Sequence, residues 1–156
     1  MSANPHRMTA AELCVRNVVV SDRRLALPEA ARLMREQHVG CLVVVDETPD
    51  GRQVVGLLTD RDIVTAVVAR EVAASTLRVE DVMSDEVVCV SEGDSLHDVL
   101  ATMQRRHVRR VPVTGPQRRL VGMIAADDVL RALANELQAL AQVLGEQVKV
   151  EQIVRP

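Results

Sequence analysis

Gly56-Leu57-Leu58-Thr59-Asp60-Arg61-Asp62-Ile63 is the stretch on which the fold turns. Residues 54–58 form an apolar run of strand length, rich in Val and Leu. Thr59, Asp60 and Asp62 then supply the polar chemistry of a helix start, and a second helix is expected from Asp60 to about Arg70. A strand hands over directly to a helix. The same hand-over recurs as Gly122-Met123-Ile124-Ala125-Ala126-Asp127-Asp128.

Working outward, the repetition extends over most of the chain. A shift of 69 residues sets Leu27 on Leu96, Met34 on Met103, His38-Val39 on His107-Val108 and Val44 on Val113. A loop three residues longer in the first copy then brings Gly56 onto Gly122 and Asp62 onto Asp128. Each copy reads strand, helix, strand, strand, helix. In copy one these are residues 18–20, a helix starting at Pro28 and ending near Gln37, strands at 41–45 and 54–58, and the helix from Asp60. Pro28 suits a first helical turn, where its missing N–H has no partner to lose. Residues 46–52, with Pro49 and Asp50-Gly51, make a polar hairpin loop. Copy two repeats the order at 87–90, 95–106 (Ser95 and Asp98 forming a capping box), 110–113, 120–124 and from Ala126 onward. Strands alternating with helices, and apolar runs buried on both faces, specify an α/β fold. The expected layout is repeat one at 8–71, a linker at 72–79, repeat two at 80–137 and a C-terminal helical extension and tail at 138–156.

Composition narrows the chemistry. The 156 residues include no Phe, Trp or Tyr, while 47% are hydrophobic, chiefly 29 Val. Base-stacking platforms, aromatic cages and tyrosine acid–base chemistry are excluded. A planar ligand must be gripped by aliphatic side chains and backbone. A net charge of -3 argues against a dedicated nucleic-acid binder, and no helix-turn-helix pattern is present. The longest apolar run, 39–45, is too short for a membrane span. The first seven residues lack the apolar segment of a signal peptide. Three cysteines, odd in number and widely spaced, suit a reducing cytoplasm.

At the hand-over, backbone N–H groups favour an anion such as phosphate, to which Thr59 could add its hydroxyl. Asp62, an ionised acceptor, suits the vicinal hydroxyls of a ribose, and Arg61 adds positive charge. Thr59-x-x-Asp62 is equally a capping box. Copy two has Ala125 in place of the hydroxyl yet keeps Asp128, which leans toward a ligand role for the acid.

A doubled β-α-β-β-α unit with Gly-x-x-Thr-x-x-Asp at its third strand resembles a tandem pair of cystathionine-β-synthase (CBS) domains, a Bateman module. Asp81-Val82-Met83 and His107-Val108-Arg109-Arg110-Val111-Pro112-Val113 carry the resemblance together with residues 56–63, and it spans about residues 8–137. It implies two repeats packed as a pseudo-twofold pair. It also implies a non-enzymatic regulatory sensor that binds an adenine nucleotide or S-adenosylmethionine in clefts between repeats, requires no other cofactor and signals to an effector protein. By resemblance Thr59 and Asp62 contact phosphate and ribose. Asp60 and Arg61 lie in the same motif, and residues 19–21 and 39–42 hold the base, including Val20, Ser21, Val39, Gly40 and Cys41. The corresponding second cleft would use Asp128, Arg106, His107, Arg109, Val111 and Pro112.

Six arginines lie between residues 99 and 126 with no acid among them, a basic face; by resemblance the turn before the second strand presents Arg106, His107 or Arg109 to ligand phosphates. Cys14, Cys41 and Cys89 lack the short spacings of a zinc site and read as buried thiols, so no metal ligand is assigned. No nucleophile–base pair or paired carboxylates point to an enzyme. Leu130, Leu133, Leu137, Leu140 and Leu144 are spaced 3, 4, 3 and 4. That heptad stripe predicts packing on the protein's own sheet for Leu130 and Leu133, and a partner helix, hence a homodimer, for the rest. The competing reading is a dimerisation module with a vestigial cleft.

Overall fold

The computed structural model describes residues 8–154, with side chains through Gly145, so the expectation about residues 1–7 lies outside the described residues. Compactness divides the chain between Ile124 and Ala125. Up to Ile124 the elements are α1 (Ala10–Leu13), β1 (Val20–Asp22), α2 (Leu27–Gln37), β2 (Cys41–Thr48), β3 (Gly51–Thr59), α3 (Asp60–Ile63), β4 (Val90–Ser91), α4 (Leu96–Arg106), β5 (Arg110–Thr114) and β6 (Leu120–Ala125). β6 runs one residue past the division. Two three-stranded sheets result, ordered β1-β2-β3 and β4-β5-β6. In each, the first strand pairs parallel with the second, Val20 opposite Val43 and Val90 opposite Val113.

Several boundaries differ from the sequence reading. The first strands begin two or three residues late, because the Val18 and Val87 amides bond back to the Arg16 and Asp85 carbonyls in tight turns. β2 and β3 run through most of the expected hairpin loop, since Asp46, Glu47 and Thr48 pair with Gln53, Arg52 and Gly51. The helix from Asp60 keeps α geometry only to Ile63 and continues as a π-helical stretch, Val64–Val68.

The apolar run of β2 is buried on both faces for a simple reason. Alternate residues of a strand point to opposite sides. Leu42 and Val44 join Leu27, Ala30, Met34, Leu58, Val67 and Val79 in a core between sheet and helices. Val43 and Val45, with Val54, face the other way, against Val87, Cys89, Leu120 and Met123 of copy two. The second layer therefore joins the repeats.

Each repeat is completed by the segment that precedes the other. Ahead of copy one, the Ala10 and Ala11 amides donate to the Asp94 and Glu92 carbonyls, and Val15 and Met123 exchange both backbone bonds at 2.9 and 3.0 Å. Ahead of copy two, Leu27 donates to Leu77, Val79 donates to Leu25, and Leu57 and Ser84 exchange both bonds at 2.9 Å. The exchange explains two glycines. A Cβ on Gly56 would stand 2.5 Å from the Met83 sulfur, and one on Gly122 would stand 2.6 Å from the Cys14 sulfur and 2.7 Å from the Val15 carbonyl oxygen.

From Ala125 onward the chain is dominated by one helix, α5 (Ala126–Val154). Its buried residue near the start is Val129, whereas Leu130 is 68% exposed. This corrects the expectation that Leu130 packs on its own sheet. The neighbouring Val129 is 2% exposed. Leu133 is half-buried, and residues 134–145 are all exposed.

Candidate functional site

Cys41 and Thr59 are cross-strand partners at the first residue of β2 and the last of β3. The chain then turns into α3 with Thr59 as its N-cap. The Thr59 hydroxyl and amide donate to Asp62 Oδ2 at 2.6 and 2.8 Å, and the Asp62 amide donates to Thr59 Oγ1 at 3.1 Å. The capping box is thus fully formed. Both bonds to the carboxylate fall on Oδ2, which leaves Oδ1 for an incoming hydroxyl. The Asp60 amide donates to the Gly40 carbonyl at 3.0 Å, and its Oδ1 accepts from the Arg61 amide at 2.8 Å. A Cβ on Gly40 would sit 3.0 Å from Asp60 Oδ2, so Gly40 lets this loop and the helix start meet.

Charges of both repeats act on the Cys41 thiol, whose pKa is pushed up to about 11. Burial is the largest cause. Arg110, the first residue of β5, pulls in the opposite direction, and Asp62 and Asp60 add to the rise. Cys41 and Arg110 occupy equivalent repeat positions, so the start of β5 lies near enough for its charge to be felt at the start of β2. A thiol held neutral is a small apolar wall, not a nucleophile. The Cys89 thiol is also raised by burial, against the nearby Arg118 guanidinium.

Gly40, Cys41, Thr59, Asp60 and Asp62 are therefore brought together, with the exposed Arg61 at the rim. Val39 packs on the core between sheet and helices. Val20 lies in the layer between the sheets, and Ser21 is buried with its hydroxyl donating to the Asp22 carbonyl at 3.3 Å. Those two stand one strand away from the cluster, on β1.

The copy-two residues are arranged differently. Arg106 is exposed in the last turn of α4. His107 is its left-handed C-cap at φ 54°, and His38 caps α2 in the same way at φ 53°. The repeated histidine thus has a backbone role in both copies. Arg109 is exposed, while Val111 and Pro112 are fully buried and can offer a ligand only backbone. Asp128, in the first turn of α5, has the Arg131 guanidinium 3.6 Å away. Among the described residues no group of three His, Cys, Asp or Glu is placed to share a metal ion. By resemblance residues 88–90 and 110–112 hold the base of the second cleft, which gives Arg110 no part beside Cys41 and Asp62, and the exchanged segments are not evident from the motifs. Continuing the 69-residue shift toward the N-terminus exposes the latter: it sets Ala10 on Val79, both fully buried, and Cys14 on Met83.

The CBS domain family model matches twice, over residues 10–69 and 79–135. The chain belongs to the CBS-domain family. Among relatives, this CBS pair is 32% identical over 125 residues to hypoxic response protein 1 of Mycobacterium tuberculosis, covering 80% of this chain and 85% of that protein. It is 38% identical over 101 residues to YlbB of Bacillus subtilis, covering 65% of this chain and 66% of that one. The chain spans 62% of the length of another relative, MK0525 of Methanopyrus kandleri, at 27% identity over 124 residues, 80% of this chain. Among solved structures, hypoxic response protein I with two coordinated zinc ions superposes at TM-score 0.71 and 30% identity, covering 80% of this CBS pair and 98% of that chain. The cytosolic domain of the Mg2+ channel MgtE in complex with ATP matches at TM-score 0.67 and 26% identity, covering 80% and 48%. The CBS domain pair of MJ0100, in complex with 5'-methylthioadenosine and S-adenosylmethionine, shares the fold at TM-score 0.71 and 22% identity, covering 83% and 98%.

Proposed function

We propose that the chain is a non-enzymatic regulatory module that binds an adenine nucleotide at the Gly40–Cys41–Thr59–Asp60–Asp62 cluster. The observation that carries this reading is the Asp62 carboxylate, held by Thr59 through one oxygen only, within a cluster that the Arg110 charge of the other repeat also reaches. Asp62 Oδ1 takes a ribose hydroxyl, and Arg61 or Arg110 meets phosphate. Gly40, Val39 and the neutral Cys41 thiol make the apolar wall for the base. Repeat two is the weaker candidate, since Ala125 stands where Thr59 supplies its hydroxyl. Matched structures holding ATP, 5'-methylthioadenosine or S-adenosylmethionine support this ligand class. Because the inter-sheet layer ties the repeats together, occupancy shifts their packing, and an effector protein reads the shift. The three free thiols support a reducing, cytoplasmic setting.

Isothermal titration with AMP, ADP, ATP and S-adenosylmethionine tests the proposal, the chain having no Trp or Tyr to report binding by fluorescence. Saturable binding of at least one ligand is expected, weakened by about tenfold or more in Asp62→Ala, the loss of a charge-assisted hydrogen bond. No binding of any of the four, or equal binding by Asp62→Ala, overturns it. The exposed leucines of α5 favour the competing reading, a dimerisation module with a vestigial cleft.

A further inference from the structure

The segments that close the two repeats carry sulfur at the same place. Cys14 and Met83 stand one repeat shift, 69 residues, apart. Each sulfur lies against the glycine of a strand–helix hand-over, within 2.6 Å of a Cβ built on Gly122 or 2.5 Å of one built on Gly56. A thioether fills such a contact as an adaptable apolar group. It differs from leucine in one chemical respect, a sulfur lone pair that can be oxidised. Met34 and Met103, equivalent core positions, are each only 6% exposed. Met83 is half-buried, packed on the core between sheet and helices yet reachable by a small solute. Its amide donates to the Val79 carbonyl at 2.8 Å, and the next residue, Ser84, exchanges both backbone bonds with Leu57. These bonds tie down the segment that closes repeat one.

We propose that Met83 is a modification site, at which hydrogen peroxide oxidises the thioether to the sulfoxide and unlatches repeat one. The sulfur lone pair attacks one peroxide oxygen and the O–O bond breaks. That oxygen stays on sulfur, and the other leaves as water. Sulfur is oxidised by two electrons and the peroxide is reduced by the same two. The product is polar, and methionine sulfoxide reductases reverse it. The added oxygen has no room on the Gly56 side and seeks water, so the side chain leaves the contact. Ser84 then loses its anchor beside Leu57, two residues ahead of Thr59 on β3. No ligand at the candidate site is needed for this step.

Peroxide treatment of the full chain without nucleotide, followed by peptide mass mapping and amide hydrogen exchange, tests this. Met83 is expected to gain an oxygen atom well before Met34 and Met103. Exchange at the Leu57 and Ser84 amides should then rise about tenfold or more, as local opening becomes easier. Methionine sulfoxide reductases should return it to the starting rate. Met83→Leu, close to volume-conserving, is expected to keep its exchange rates at these amides after peroxide. Met83→Gln, polar at similar length, is expected to show the raised rates without peroxide. The wild type before and after peroxide gives a comparison that needs no variant to fold. Earlier oxidation of Met34 or Met103, a sulfoxide at Met83 with unchanged exchange at Leu57 and Ser84, or an equal peroxide response in Met83→Leu overturns the proposal.

Discussion

His38 and His107 sit in left-handed backbone conformations that a Cβ makes costly, each closing its helix with an amide returned to the preceding turn. Glycine suits such a position better. His38→Gly is therefore expected to stabilise by about 0.5–1 kcal/mol, raising Tm by about 2–4 °C in a thermal scan. Cys41 gives a pH prediction. Its folded pKa, about 11, lies above the 9.0 of an unperturbed thiol. The unfolded chain therefore ionises first as pH rises. The stability from the neutral buried thiol is complete below about pH 9 and is lost as pH climbs toward 11, about 3 kcal/mol at most. Urea denaturation across that window should show the decline, and Cys41→Ala should flatten it. Native Cys41 should also react with iodoacetamide at pH 8 far more slowly than in urea.

At the scale of elements, the exchanged segments rest on Gly56 and Gly122, and the obstacles to a side chain there are unequal. Gly56 faces chiefly the flexible end of Met83, whereas Gly122 faces the Val15 backbone as well as Cys14. Gly122→Ala should destabilise by about 2 kcal/mol or more and Gly56→Ala by about 1 kcal/mol, measured by urea denaturation. The repeat, the strand–helix order and the capping pairs Thr59–Asp62 and Ser95–Asp98 were legible in the sequence because each depends on local spacing. Gly56 and Gly122 were legible only as repeat markers. What each approaches lies far along the chain, in segments whose spacing carries no helix or strand period. The site was legible to the same degree. Thr59 and Asp62 announce themselves by their three-residue separation, while the influence of Arg110 on Cys41 depends on the packing of two sheets. Leu130 and Val129 are adjacent in an apolar helix start, and period alone did not decide which turns inward.

For the whole molecule, the reciprocal completion of the repeats means that the start of the described chain is structural. Ala10 is fully buried, and residues 8–15 make five backbone hydrogen bonds to copy two. Deleting residues 1–15 should destabilise the protein by about 3 kcal/mol or more, at about 0.5–1.5 kcal/mol per bond together with the exposed apolar surface. A single sharp unfolding transition is expected, since the two sheets share one apolar layer and each repeat is closed by the segment ahead of the other. The same exchange sets an order on synthesis. Residues 8–71 can leave the ribosome entire and still lack Leu77, Val79 and Ser84, so copy one cannot close while it is alone in the tunnel mouth. Copy two meets the opposite situation, its completing segment having been made before any of it. Translation thus presents two similar repeats with different histories, and the first must wait for the sequence that leads into the second.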